Sequence, residues 1–213
     1  MRFLAYLLAL YLWQHWYMVG ELPVLSAFKR RRLRARLRYA LAVNPAAFDA
    51  RVELARDALS GARFQEAIGY LTPILAKGGD AAEVPRLYGL ALLGAGRSAE
   101  AVDVFRQALA LDRKETEARL GLAQSLFCEG RYDEARAEIE AYRVGRPGDA
   151  RGSWTEAAIR TKDADGAAEK ALGSLRELVS EQRLKPGYAR RRDRKWAVRA
   201  RLALLLRRPP AKV

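Results

Sequence analysis

Cysteine and histidine chemistry has almost nothing to work with in this sequence. One cysteine, Cys128, and one histidine, His15, occur in 213 residues. A single cysteine excludes an internal disulfide framework and a cysteine-based zinc cluster. A lone histidine inside a hydrophobic run leaves no Ser-His-Asp or Cys-His set to assemble. Proline is sparse, and no stretch alternates β-branched with polar residues. Ala, Leu and Arg dominate instead, which favours helices over strands. Hydrophobic residues are not lacking: at 50% of the chain they exclude a disordered polypeptide. The glycine-rich stretch GLALLGAGRS (89–98) lacks the Lys-Ser/Thr of a phosphate loop. The sequence thus offers no catalytic residue, cofactor site or metal site, and it reads as a non-enzyme.

Acidic residues are missing from particular places. Residues 28–43 carry seven Lys/Arg and no acid, and residues 183–213 carry twelve Lys/Arg and one acid, Asp193. These ends account for the net charge of +14, and the stretch between them is mildly acidic. The ends therefore need a different explanation from the middle.

The middle is periodic. ARFQEAIGYL (62–71), GRSAEAVDVF (96–105) and GRYDEARAEI (130–139) recur at intervals of 34 residues. Ala67, Ala101 and Ala135 each follow a glutamate: Glu66, Glu100 and Glu134. Small residues stand twelve positions earlier at Ala55, Gly89 and Ala123, and bulky ones four positions later at Leu71, Phe105 and Ile139. Turn residues Gly61, Gly96 and Gly130 divide each unit into two helical halves. Small residues at a helix crossing let two backbones approach, and bulky ones fill the gap to the next pair. No pair buries its apolar stripe alone, so the pairs stack.

This pattern resembles the tetratricopeptide repeat family, over residues 48–149. The third copy also carries that family's late proline, as Pro147 ahead of Gly148-Asp149. The resemblance implies an all-α solenoid of three clear helix–turn–helix repeats. Residues 150–182 read as a degenerate fourth repeat, with Ala157 or Ala158 as its small crossing residue and Leu172, Leu175, Leu178 and Val179 on one face of its second helix. In this family the first helix of each pair lines a concave groove. Counted by family positions, the groove residues are Val52, Arg56 and Leu59, then Arg86, Leu90 and Leu93, then Leu120, Gln124 and Phe127. The Lys/Asn clamp by which some relatives hold a carboxylate is absent. The groove is mostly apolar and suits an amphipathic or apolar segment of a protein partner; the other reading of these residues is solenoid core.

Residues 1–27 form a hydrophobic N-terminal segment. FLAYLLALYLWQHWYMV (3–19) has no formal charge, and its aromatics cluster towards one end, as at a membrane interface. It reads as a single-pass anchor, with a cleaved signal peptide or a helix buried on protein as the alternatives. Under the positive-inside rule the basic residues that follow place the repeats in the cytoplasm, at the inner membrane. Residues 28–47 read as a basic juxtamembrane and capping helix with Phe28, Leu33, Leu37, Ala40 and Leu41 near one stripe. Its Lys29, Arg30, Arg31, Arg32, Arg34, Arg36 and Arg38 are candidates for contact with anionic lipid or a partner. Residues 183–213 read as a basic C-terminal capping helix and tail, docking through Trp196, Ala200, Ala203 and Leu206. Tyr188, the arginine run and Trp196 resemble the C-terminal end of a group of bacterial membrane-anchored repeat proteins; that group often has two hydrophobic N-terminal segments, against one here. The functional expectation is a membrane-anchored protein-interaction adaptor. The alternatives are a subunit whose N-terminal helix docks on a partner, and a basic nucleic-acid-associated protein, for which no binding motif accompanies the charge.

Overall fold

The computed structural model describes residues 23–78, 81–162, 167–184, 196 and 198–205. Among them the elements are helices: α1 (Pro23–Val43), α2 (Phe48–Ser60), α3 (Phe64–Leu75), α4 (Glu83–Gly94), α5 (Ser98–Leu111), α6 (Thr116–Cys128), α7 (Tyr132–Gly145), α8 (Ala150–Arg160) and α9 (Ala167–Leu184). A last helical stretch covers 198–205. The helices pair as α2/α3, α4/α5, α6/α7 and α8/α9, and the second helix of each pair packs on the first of the next. The stack is the all-α solenoid that the period implied.

The turn inside each of the first three pairs explains the recurring motif. Ala62, Gly96 and Gly130 hold φ of 54°, 79° and 77°. The next residue is arginine, whose N–H reaches five residues back: Arg63 to Ala58 at 2.8 Å, Arg97 to Leu92 and Arg131 to Leu126 at 2.9 Å. The N–H of Ala62, Gly96 and Gly130 reaches three back at 3.1 Å each. This is the Schellman closure, which satisfies the terminal carbonyls of the first helix. Arg63, Arg97 and Arg131 then pair with Glu66, Glu100 and Glu134 in the first turn of the second helix, at 3.2, 2.6 and 2.7 Å. The expected turn glycine of the first repeat is thereby corrected. Gly61 sits at φ −96°, and the left-handed position, in register with Gly96 and Gly130, belongs to Ala62.

Small residues meet large ones as the spacing requires. Phe105, fully buried, lies between Gly89 of α4 and Gly121 of α6. A Cβ added at Gly89 would stand 2.8 Å from the Phe105 ring, and one at Gly121 would stand 2.3 Å from it. Burying such a ring contributes up to about 3 kcal/mol, and two glycines make room for it.

The fourth pair is a true repeat with a longer internal spacing. Ala157, fully buried in α8, falls 34 residues after Ala123. In α9, Ala171 and Leu175 play the parts of Ala135 and Ile139, but 36 residues later. The two extra residues fall between Ala157 and Ala171. Leu178 is buried beside them, with Leu172 and Val179 packed alongside. The tail closes this end: the Trp196 and Trp154 rings lie 5.9 Å apart, Ala200 is buried and Ala203 packs on the same cluster. Leu206 and Tyr188 lie outside the described residues.

At the other end α1 packs on α2 as α3 packs on α4, so it fills the place of the second helix of a preceding pair. Pro23 is its first residue, where a missing N–H costs nothing. The expected boundary between segments 1–27 and 28–47 falls inside this helix. Leu37, Ala40 and Leu41 are half-buried against the stack, while Phe28 and Leu33 are exposed, which corrects their place on the packing stripe.

The expected single-pass placement in the inner membrane is overturned. Among the described residues no helix is long and apolar enough to cross a membrane. The two helices of sufficient length are both too charged: α1 carries seven Lys/Arg, and α9, AAEKALGSLRELVSEQRL, carries charged residues throughout. Residues 3–19 lie outside the described residues.

Candidate interaction surface

The backbones of the first helices of the pairs, α2, α4, α6 and α8, approach one another along the stack, whereas second helices meet across pairs only through long side chains, as in Arg106–Glu134 at 3.0 Å. The first helices therefore line the inner, concave side. Their family-position residues divide into three kinds. Val52, Leu120 and Phe127 are buried in the solenoid interior. Leu59, Leu90 and Leu93 are half-buried, each packed against the interior by one side. Arg56, Arg86 and Gln124 carry the polar chemistry.

These polar residues form a ladder across the repeats. Arg56 holds Glu53 at 2.7 Å and pairs with Glu83 at the start of α4. Glu83 also faces Arg86, at 3.5 Å, and Arg86 faces Glu115, at 3.8 Å. Gln124 donates to the Thr155 hydroxyl at 3.1 Å. Arg151 of α8 then grips Glu117 of α6 with a two-pronged contact at 2.7 and 2.8 Å, and holds Asp149 at 3.1 Å. Arg86 is the loose rung, because its Nε is buried without a hydrogen-bond partner.

The tight rungs stay charged. Hydrogen bonding to Arg151 holds the Glu117 carboxyl below its ordinary value against the opposing effect of burial. Burial alone would raise Asp149, but Arg151 and Tyr142 hold it down. Asp149 also caps α8, accepting from the Arg151 N–H at 2.8 Å. Glu83, Glu117 and Arg151 were not singled out from the sequence. They were nevertheless findable, since they stand 34 residues apart at one register position, two acids followed by an arginine.

The basic residues of α1 are spread around it. Arg34 binds Asp57 at 2.8 Å, Arg38 approaches Glu66 at 3.9 Å, and Arg32 covers the Phe28 ring at 5.6 Å. Lys29, Arg30, Arg31 and Arg36 are exposed.

Comparison with known proteins agrees with this architecture. Two models described as tetratricopeptide repeat match residues 52–116 and 92–153. No curated protein matches the chain in sequence. Among solved structures, YrrB, described as a TPR protein with an unusual peptide-binding site, is 22% identical with a TM-score of 0.62. That likeness covers 84% of this chain and 87% of YrrB. A thermophilic TPR protein of Thermus thermophilus is 17% identical with a TM-score of 0.64, over 85% of this chain and 95% of the other. PilW, a type IV pilus biogenesis factor, is 18% identical with a TM-score of 0.65, over 85% and 89%. At these identities the likeness is one of fold.

Proposed function

Because the chain belongs to the tetratricopeptide repeat family, whose members are protein-interaction scaffolds, we propose that it is a non-enzymatic adaptor that holds a segment of a protein partner on its concave face. The observation that carries this reading is the middle of that face. Arg86 has only long contacts to its carboxylates there, and Leu90 and Leu93 stand beside it half-buried. Such a site offers apolar area for an anchor side chain and a guanidinium free to turn towards an incoming acceptor. The matching segment is an amphipathic stretch with a carboxylate next to its apolar anchors. The peptide-binding site named for YrrB supports the reading by likeness of fold.

Selection of displayed peptides against the full chain tests it. Amphipathic, acid-bearing sequences are expected, with binding weakened about tenfold by Leu90→Ser or Arg86→Ala. Recovery of no binder, or binders indifferent to both changes, sinks the reading.

A second reading is a subunit of a larger complex. It is favoured by apolar side chains left open at the two ends: Tyr39 and Val43 on α1, and Val198, Leu202 and Leu205 on the last helical stretch.

A further inference from the structure

The concave face leaves unused a cleft of about 640 Å³ between α1 and the α2–α3 turn. Its walls are Arg30, Arg31, Arg34 and Arg38 from α1 and Arg63 from the turn, with Asp57 between them. Asp57 accepts from Arg34 through both carboxylate oxygens, at 2.8 and 3.3 Å, and also accepts from Arg63. Burial would raise this carboxyl, but the two guanidiniums hold it below its ordinary value, so it stays charged as their common anchor. Glu66 adds a contact to Arg63 at 3.2 Å and reaches Arg38 only at 3.9 Å. Arg30 and Arg31 are exposed and meet no carboxylate among the described residues. Five arginines thus face two carboxylates, and the unpaired charge is gathered on one side of α1.

We propose that this cleft docks an acidic segment of a protein partner, whose Asp and Glu carboxylates pair with Arg30 and Arg31 while Asp57 fixes Arg34 and Arg63 beside them. The guanidinium fork matches a carboxylate in shape as well as charge. The lining contains no aromatic ring, so it gives bases no stacking platform. Asp57 and Glu66 also break the positive surface into separate points, which suits discrete carboxylates better than a continuous phosphate track. None of these residues lines the concave face. The proposal therefore stands beside the groove reading without resting on it, and each survives failure of the other.

The test uses the full chain and a fluorescein-labelled oligoglutamate, read by anisotropy at low and at physiological salt. Arg30→Glu/Arg31→Glu is expected to weaken binding about tenfold or more. Arg176→Glu/Arg201→Glu changes the net charge equally at exposed sites away from the cleft, and is expected to leave binding nearly unchanged. Asp57→Asn adds positive charge yet is expected to weaken binding, because Arg34 and Arg63 lose their anchor. Arg34→Lys, which keeps the charge and removes the fork, gives the same reading if Asp57→Asn unfolds. Equal losses from the two double variants would mean attraction by net charge alone and overturn the proposal. So would tighter binding by Asp57→Asn, or an oligothymidylate that displaces the peptide at lower concentration.

Discussion

The inner repeats and the outer repeats solve one folding problem with different strictness. In the second and third pairs the left-handed turn position is glycine, and the ring of Phe105 has a glycine on either side. In the first pair that turn falls to Ala62, and in the fourth the spacing from Ala157 to Ala171 is longer by two residues than its counterpart from Ala123 to Ala135. The inner pairs have neighbours on both sides and little freedom to shift. The outer ones each have a special partner, α1 at one end and the 196–205 segment at the other, which absorbs the irregularity. The difference shows that the period is a requirement of stacking rather than of the pair itself.

The strongest way to break the comparison is at Phe105. Phe105→Ala is expected to destabilise by about 3–5 kcal/mol, with loss of the cooperative transition in urea. A smaller loss than that from Leu175→Ala in the fourth pair would contradict the stricter packing of the inner repeats.

Arg151 comes next, as the tie between the third and fourth pairs. Arg151→Ala leaves Asp149, 6% exposed, without its cation, and is expected to cost about 2–3 kcal/mol. This effect depends on pH. Glu117 and Asp149 are both held below their ordinary carboxylate values. Their contribution is therefore full above the unfolded value of about 4 and is lost as pH falls through the lower folded values. The gap between parent and Arg151→Ala is expected to close across that acid window. A gap that persists unchanged in acid would show that Arg151 acts by packing alone.

The smallest effect sharpens the comparison instead of breaking it. Ala62→Gly is expected to stabilise by about 1 kcal/mol and Gly130→Ala to destabilise by about as much. Thermal unfolding of the two single variants checks both signs, and equal signs would refute the shared turn geometry.

Much of this architecture was legible in the sequence because stacking leaves a fixed interval. The small residues Ala55, Gly89, Ala123 and Ala157 carry it through all four pairs. The second helix of the fourth pair was harder to place, since two extra residues put Ala171 and Leu175 out of register. Ala62 was passed over in favour of Gly61 because residue type points to glycine, while the left-handed site is decided by position. The groove was only partly legible. Family positions name the inward-facing residues, but whether an inward residue is floor or surface depends on the neighbouring repeat. Val52, Leu120 and Phe127 are floor, whereas the charge ladder needed the partners supplied by the next pair. The single-pass expectation rested on residues 3–19, which lie outside the described residues, and no described helix combines the length and apolarity of a span.

The side-chain hydrogen bonds that tie one repeat to the next span no more than 34 residues, from Arg143–Glu156 at 13 to Arg151–Glu117 at 34. Each pair thus closes its turn and meets its neighbour without waiting for distant parts of the chain. Such low contact order favours rapid assembly. It also makes the length of the stack a countable quantity. Duplicating residues 96–129 as a block would lengthen the concave face by one unit, and the one new junction would set the second Phe105 against Ala123 in the place of Gly89, so Ala123→Gly in the first copy is the change that restores its room.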